Sequence, residues 1–341
     1  MTRMKILFLN IYQKKVTRGA ERFVYELSSR LAKSHKVDVL SSEKIPPKRW
    51  PFVWRSFLDP GGIQICLFTL KNLPKIWKEK YDIVVPLNGG WQPALLRILT
   101  WIYGGKVVIS GQSGMGWDDR NNLWCFPDLF VALSRKAERW AKKVNPLVRV
   151  SYIPNGVDLA KFKIQDSDFK INLEKPIVLC VGALTKGKRI NLAIEAVAKL
   201  GNASLLIVGD GELRDEIEKL GKKLLKDRFR VINVPFEEMP KVYQTADVFT
   251  LPSESYHSFE IAIVEAMASG LPVVVNKDDI RREIVGRAGV LVDPANIDAY
   301  AIALEYALRL KWGKRPENQA KKFDWDKITK KYEELFASLF K

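Results

Sequence analysis

The 341-residue chain has two histidines, three cysteines and no long apolar run. Each scarcity excludes something. Cys66, Cys125 and Cys180 are far apart and form no C-x-x-C pair. That argues against a disulfide framework or a zinc site and fits a reducing cytoplasm. No His/Cys cluster suggests a metal. No stretch reaches the roughly 18 apolar residues that a membrane-spanning helix needs. The opening MTRMKILFLN reads as a short strand, without a signal peptide's longer apolar region and cleavage site. His35, in Lys33-Ser34-His35-Lys36, reads as a turn residue before a strand. His257 is then the one imidazole left for acid–base work. Spacing suggests no Ser/His/Asp or Cys/His arrangement.

Acid is scarce in one half of the chain. The net charge is +17, and residues 1–155 hold 26 Lys and Arg against 11 Asp and Glu, a net +15. Eight of the ten tryptophans are in that half: Trp50, Trp54, Trp77, Trp91, Trp101, Trp117, Trp124 and Trp140. A basic, Trp-rich half suits an anionic membrane surface, an acidic acceptor or a nucleic acid. Two pieces stand out, the basic–aromatic run Lys48–Arg55 and the interfacial-looking helix Pro93–Tyr103.

What is abundant is alternation. The length exceeds one ordinary core, so two domains are expected. Lys5–Asn10, Val37–Leu40, Ile83–Pro86, Val107–Ser110, Leu129–Leu133 and Val148–Ile153 read as strands with helices between, the first being Arg18–Ser34. The pattern restarts with Ile177–Val181 (strand), Asn191–Leu200 (helix), Ser204–Val208 (strand) and Leu213–Leu220 (helix). Strands at Val231–Val234, Val248–Leu251, Val273–Val275 and Val290–Val292 follow. Such alternation predicts two α/β domains with parallel sheets covered on both faces. They join near Pro154–Asp168, where Pro154-Asn155-Gly156 signals a turn and Gln165–Lys170 is polar. Trp325–Lys341 reads as a last amphipathic helix with Ile328, Tyr332, Leu335 and Leu339 apolar. Ligands of open α/β sheets bind at the carboxyl ends of strands, so the cleft between the domains is the expected site.

Several segments suit phosphate. Val248–Leu251 runs into Pro252-Ser253, then a polar loop, then a helix expected to start near Ser258 and stop at Gly270, with Glu265 two turns in. A helix N-terminus facing such a loop offers free N–H groups and a positive dipole end. Gly182–Arg189, after the first strand of the second domain, carries Lys186, Lys188 and Arg189 with two glycines, a composition suited to a pyrophosphate. Gly19 sits between the first strand and the first helix, where backbone would approach a phosphate. Gly209-Asp210-Gly211 lacks the third glycine of a dinucleotide fingerprint, because Arg214 holds that position, and reads as a turn.

In this order the chain resembles the family-4 group of retaining, nucleotide-sugar-dependent glycosyltransferases. The resemblance rests on Arg18–Glu21, similar to GGAE; Ile153–Asp158, similar to IPNGVD; the Gly182–Arg189 loop; Leu206–Gly211; Ala246–Phe249; and Glu265–Val274. It implies a GT-B fold, two Rossmann-like parallel-sheet domains facing a cleft. The bounds are residues 1–158 on the acceptor side, 159–322 on the nucleotide-sugar side, and a C-terminal helix, 323–341, packing back toward the first domain. It implies Gly19, Gly182, Lys188 and Arg189 near the donor phosphates, with the backbone of Glu260 and Ile261. Glu265 matches the second Glu of the E-x7-E motif, on the ribose. Gln112 and Asn155 are assigned to the acceptor side. Lys188, His257 and Glu265 are the catalytic set, with no metal or cofactor.

Three positions depart from the pattern. His257 stands where the family has its first motif Glu, Glu260 where it has Gly, and Ala183 where it has Arg. The first of these bears on the donor sugar, with His257 or Glu254 as the contact in its place. Arg189 or Lys186 is the replacement for the missing arginine's charge. The expected activity is transfer of a sugar to a lipid-linked or polysaccharide precursor, in the cytoplasm and peripheral on the inner membrane face. The alternatives are an altered or inactive relative acting as a binding partner, and a basic nucleic-acid-binding protein, for which no recognition motif is present.

Overall fold

The computed structural model describes residues 3–13, 19–42, 57–163, 169–256 and 259–341. Arg18, the run Lys48–Arg55, residues 165–168, His257 and Ser258 lie outside the described residues. The chain divides into two compact units, Met1–Asn155 with Trp325–Lys341, and Gly156–Asp324.

The first unit runs β1 (Lys5–Leu9), α1 (Gly19–Leu31), β2 (Lys36–Leu40), α2 (Pro60–Glu79), β3 (Ile83–Pro86), α3 (Trp91–Tyr103), β4 (Lys106–Ser110), α4 (Trp117–Trp124), β5 (Leu129–Ala132), α5 (Arg135–Val144) and β6 (Val150–Tyr152). Its six strands are parallel in the order β2-β1-β3-β4-β5-β6. Alternate strand residues point to opposite faces, and both faces here are apolar. Ile6, Phe8, Ile83 and Val85 join one core cluster, Leu7, Leu9, Val84 and Val107 the other. This explains why the strands read as unbroken apolar runs.

The second unit runs α6 (Leu159–Phe162), β7 (Ile177–Val181), α7 (Ile190–Ala198), β8 (Ser204–Val208), α8 (Arg214–Leu225), β9 (Phe229–Ile232), α9 (Met239–Thr245), β10 (Val248–Leu251), α10 (Ile261–Ala268), β11 (Val273–Asn276), α11 (Asp279–Val285), β12 (Gly289–Val292), α12 (Ile297–Arg309) and α13 (Arg315–Ala320). Its six parallel strands are ordered β12-β11-β10-β7-β8-β9. Counted from β7, this is the Rossmann order 3-2-1-4-5-6.

The last helix, α14 (Trp325–Ala337), belongs to the first unit. Its spacing of three and four puts Trp325, Ile328, Tyr332 and Phe336 in one buried stripe. Phe23 of α1 packs against Trp325 at 6.2 Å and Tyr332 at 5.9 Å between ring centroids.

Three expectations need correction. Strand β9 lies two residues before Val231–Val234, because pairing with β8 starts at Leu205↔Phe229 and ends at Val208↔Ile232. Helix α8 continues past Leu220 to Leu225. Gly221 does not stop it but makes room, since a Cβ there would lie 2.1 Å from the Phe229 ring. Helix α10 starts at Ile261, not near Ser258, because Glu260 is extended at φ −96°, ψ 94°.

Candidate functional site

A doubly wound sheet opens where its strand order reverses. In the second unit this is between β7 and β10, and the sequence places there the loop Gly182–Arg189 and the loop Pro252–Glu260. The two are tied together, because Glu254 N donates to Gly187 O at 2.9 Å. The Gly209-Asp210-Gly211 turn braces the first loop from below. Leu184 N donates to Asp210 O, and Leu213 N to Leu184 O, both at 3.0 Å. Gly209 has φ +153°, and a Cβ on it would lie 2.0 Å from Gly182 O. A side chain there would force the loops apart.

Two of the three cations of the first loop, Lys188 and Arg189, are already engaged. Lys188 Nζ donates to both Glu260 oxygens at 2.8 Å. Arg281, from α11 and with a side chain that is 0% exposed, donates to Glu260 Oε1 at 3.3 Å, Ser253 Oγ at 2.9 Å and Glu254 O at 3.2 Å. Its Nη1 lies 3.3 Å from Asp278 Oδ2. Arg189 takes a left-handed backbone at φ 48°. Its guanidinium donates to Pro252 O at 2.8 Å, Ser253 O at 3.4 Å and Asn276 Oδ1 at 2.9 Å. Arg189 thus holds the second loop in place. Beneath the group, burial pushes the Cys180 thiol up to about 12; Lys188 acts to lower it, and the Glu260 charge adds to the rise.

Helix α10 begins beside this group. Its N-cap residue Glu260 and its first residue Ile261 are both buried. The first N–H groups of a helix have no partner within it and carry the positive end of the dipole. Glu265 is in the second turn, 2% exposed, and its Oε2 accepts from Tyr243 Oη at 2.9 Å. Gly182 N is committed to Val208 O at 3.0 Å, so this glycine offers no N–H. Lys188, Arg189, Glu254, Glu260, Ile261 and Gly182 therefore come together, with Glu265 one turn further along α10.

In the first unit the sheet reverses between β1 and β3. Gly19 is the exposed first residue of α1. Beside it lies a buried polar cluster. Asn10 Nδ2 donates to Glu21 Oε1 at 3.2 Å and to Gln13 Oε1 at 3.1 Å, and Asn88 Oδ1 accepts from Ile11 N at 2.9 Å. Gln112, after β4, and Asn155 form a reciprocal amide pair at 3.1 and 3.0 Å. Nearby in sequence, Asp119 is 2% exposed, and burial pushes its carboxyl up to about 8. Asn122 and the backbone at Gly114 and Ser113 hydrogen-bond to it and act the other way. Sequence reading missed Arg281, the Asn10–Glu21–Asn88 cluster and Asp119. The one available signal was the run Asp278–Arg281, an N-cap with an arginine three residues on. A shallow depression of about 480 Å³ between α5, β6 and α14 is lined by Arg135, Glu138 and Lys331, and by none of the candidate residues.

Residues 161–323 match the family Glycosyl transferases group 1, and residues 17–161 match Glycosyltransferase Family 4. An uncharacterized glycosyltransferase of Methanocaldococcus jannaschii is 35% identical over 224 residues, 59% of this chain and 57% of that protein. The chain thus spans little more than half of that relative. An Escherichia coli protein, UDP-Gal:alpha-D-GlcNAc-diphosphoundecaprenol alpha-1,3-galactosyltransferase, is 31% identical over 276 residues, 70% of this chain and 68% of that one. Among solved structures, Anabaena HepE in complex with UDP and glucose superposes with a TM-score of 0.78 at 20% identity, over 98% of this chain and 100% of that one. That likeness establishes the fold class as GT-B, two Rossmann-like units. On these matches the chain belongs to the group 1, family 4 glycosyltransferases.

Proposed function

We propose that this protein is a retaining, metal-independent glycosyltransferase that moves a sugar from a nucleotide-sugar donor to a glycan or lipid-linked acceptor. What carries the reading is the gathering of Lys188 and Arg281 beside the N-terminus of α10, where the second sheet reverses. A departing nucleoside diphosphate develops negative charge, and fixed cations with helix N–H groups stabilise it where it forms. These groups do the work a metal would otherwise do. Lys188 and the backbone of Glu260 and Ile261 take the diphosphate, with Gly182 and Arg189 shaping their loop. Glu265 takes the ribose, and His257 or Glu254 the donor sugar. In the first unit we assign Gly19 to the donor phosphates, and Gln112 and Asn155 to the acceptor. In the transfer, the bond from the sugar's anomeric carbon to the phosphate oxygen breaks. The acceptor oxygen bonds to the same face, and its proton passes to the leaving phosphate.

The E. coli relative's name, with UDP-Gal and a diphosphoundecaprenol-linked sugar, supports this donor and acceptor class. So do the UDP and glucose of the HepE structure. No helix among the described residues is long and apolar enough to cross a membrane. The reading places the protein in the cytoplasm, peripheral on the inner membrane face.

The test is thermal stabilisation by UDP-, GDP-, ADP- and dTDP-sugars, with Lys188→Ala alongside. A ligand at about 100 times its Kd adds about 2.7 kcal/mol. The expected result is a rise in melting temperature with one nucleotide, weakened in the variant. The Glu260 carboxylate on Lys188 favours a second reading, a relative that no longer binds donor. No rise with any nucleotide sugar would select it.

A further inference from the structure

Helices α2 and α3 lie side by side and point the same way. At one end Trp91 meets Phe57 edge-on at 5.3 Å and its Nε1 donates to Phe57 O at 3.0 Å. At the other end Trp77 meets Tyr103 at 6.3 Å. Ile65, Thr69 and Ile76 of α2, with Leu96 and Thr100 of α3, form the buried side of the pair. A helix covering a sheet ordinarily turns polar residues outward. Here the outward side is apolar. On α2 it carries Ile63, Leu67 (60% exposed), Leu70 and Trp77, at steps of four, three and seven. On α3 it carries Ile98, Trp101 (78% exposed) and Ile102 (66% exposed). Contiguous apolar surface of this kind marks an interaction site, whereas single exposed residues do not.

The charge around it has one sign. Lys71, Lys75, Lys78 and Lys80 are exposed along and just after α2. The one acid of α2 is Glu79, held by Lys36 at 2.9 Å and Lys5 at 3.7 Å, and α3 has none. Tryptophan and lysine both keep an apolar body in a greasy layer and a polar tip in water. Apolar residues flanked by the lysines of α2 match an anionic headgroup layer, which takes the rings at its acyl boundary and the ammonium groups among its phosphates.

We infer that the outward face of α2 and α3 is a membrane-docking surface that rests on a bilayer rich in anionic phospholipid. This gives the proposed peripheral location a definite surface and rests on that part of the reading alone; nothing in it depends on the donor. Each lysine near such a surface contributes about five-fold in affinity.

The experiment is co-sedimentation of the full chain with vesicles of equal parts phosphatidylglycerol and phosphatidylcholine, against phosphatidylcholine alone. Two surface variants run alongside, Trp101→Ser with Ile102→Ser, and Lys71→Glu with Lys75→Glu and Lys78→Glu. Melting temperatures check that each variant is folded. The native chain is expected to pellet with anionic vesicles at low salt. It should be released toward 1 M salt, where the Debye length is about 3 Å. The Trp/Ile variant should bind roughly ten-fold more weakly or worse, the lysine variant roughly a hundred-fold. If the native chain stays in the supernatant, both the surface and the peripheral location fall. If it pellets and both variants pellet equally well, the surface is wrong. If light scattering shows the chain to be a dimer that the Trp/Ile variant splits, the face belongs to a second copy and the inference is overturned. Nucleotide-sugar stabilisation without lipid, on the same variants, reports on the donor reading separately.

Discussion

Glu260→Gln removes one negative charge from the centre of the candidate site and keeps its shape. Its carboxylate lies 2.8 Å from Lys188 Nζ and 3.3 Å from Arg281 Nη2. At an effective dielectric near 20 those contacts are worth about 6 and 5 kcal/mol of gross attraction. Desolvation of all three groups offsets most of it, and breaking a buried pair typically costs about 3–5 kcal/mol. Gln keeps one acceptor oxygen, and Asp278 still faces Arg281 at 3.3 Å. The low end, about 3 kcal/mol, is therefore expected. For a unit of this size that lowers the melting temperature by about 6–12 °C. The effect on ligand has the opposite sign. A diphosphate on Lys188 must compete with Glu260 in the native protein and not in the variant. Calorimetric titration with UDP and GDP should show the variant binding at least about ten-fold tighter, or 1.4 kcal/mol. Saturating diphosphate should then return most of the lost melting temperature. An unchanged melting temperature together with equal or weaker affinity would refute the idea that Glu260 is the internal counter-ion of the phosphate site.

Other outcomes follow from single features. Gly209→Ala should lose nucleotide stabilisation in the thermal assay, because its Cβ would sit 2.0 Å from Gly182 O and displace the loop that carries Lys188. Trp325→Ala empties a site that is 1% exposed and should cost about 3–5 kcal/mol in urea unfolding of the first unit. His35 accepts from Met4 N at 3.2 Å, and burial, partly opposed by Glu333, lowers its pKa below the ordinary 6.5. The unfolded chain therefore binds the proton more readily. The contribution is present above pH 6.5 and lost as pH falls below it. Melting curves from pH 7.5 to 5 should show that loss, and His35→Asn should flatten it.

The sheets were legible because a parallel strand covered on both faces reads as a nearly continuous apolar run. Ile177–Val181, Ser204–Val208 and Val248–Leu251 have the bounds expected of them. Edges were harder. At β9 the register with β8 overrode the local pattern, and α8 runs on through Gly221, which leaves room for the Phe229 ring. The site was legible where a motif lies within one segment, as with Lys188 and Glu265. It was not where the partner comes from elsewhere. Glu260 reads as a departure from the family, and only the fold sets its charge against Lys188 and Arg281, 72 residues before it and 21 after. His35 read as a turn residue, yet it is 3% exposed and tied to Met4. A turn says nothing about what a distant strand lays over it.

The membership of α14 in the first unit has a consequence for synthesis. The second unit, Gly156–Asp324, is continuous in the chain and complete before Trp325 is made. The first unit is not. Phe23 leaves the ribosome 302 residues ahead of Trp325, the ring that covers it, a delay of about 15–60 s at ordinary elongation rates. Through that interval α1 has the strands Lys5–Leu9 and Ile83–Pro86 beneath it, but the part of its apolar face that meets Trp325 and Tyr332 has no cover from its own chain. The half made first is thus the half that finishes folding last, and until then it is a surface for chaperones to hold.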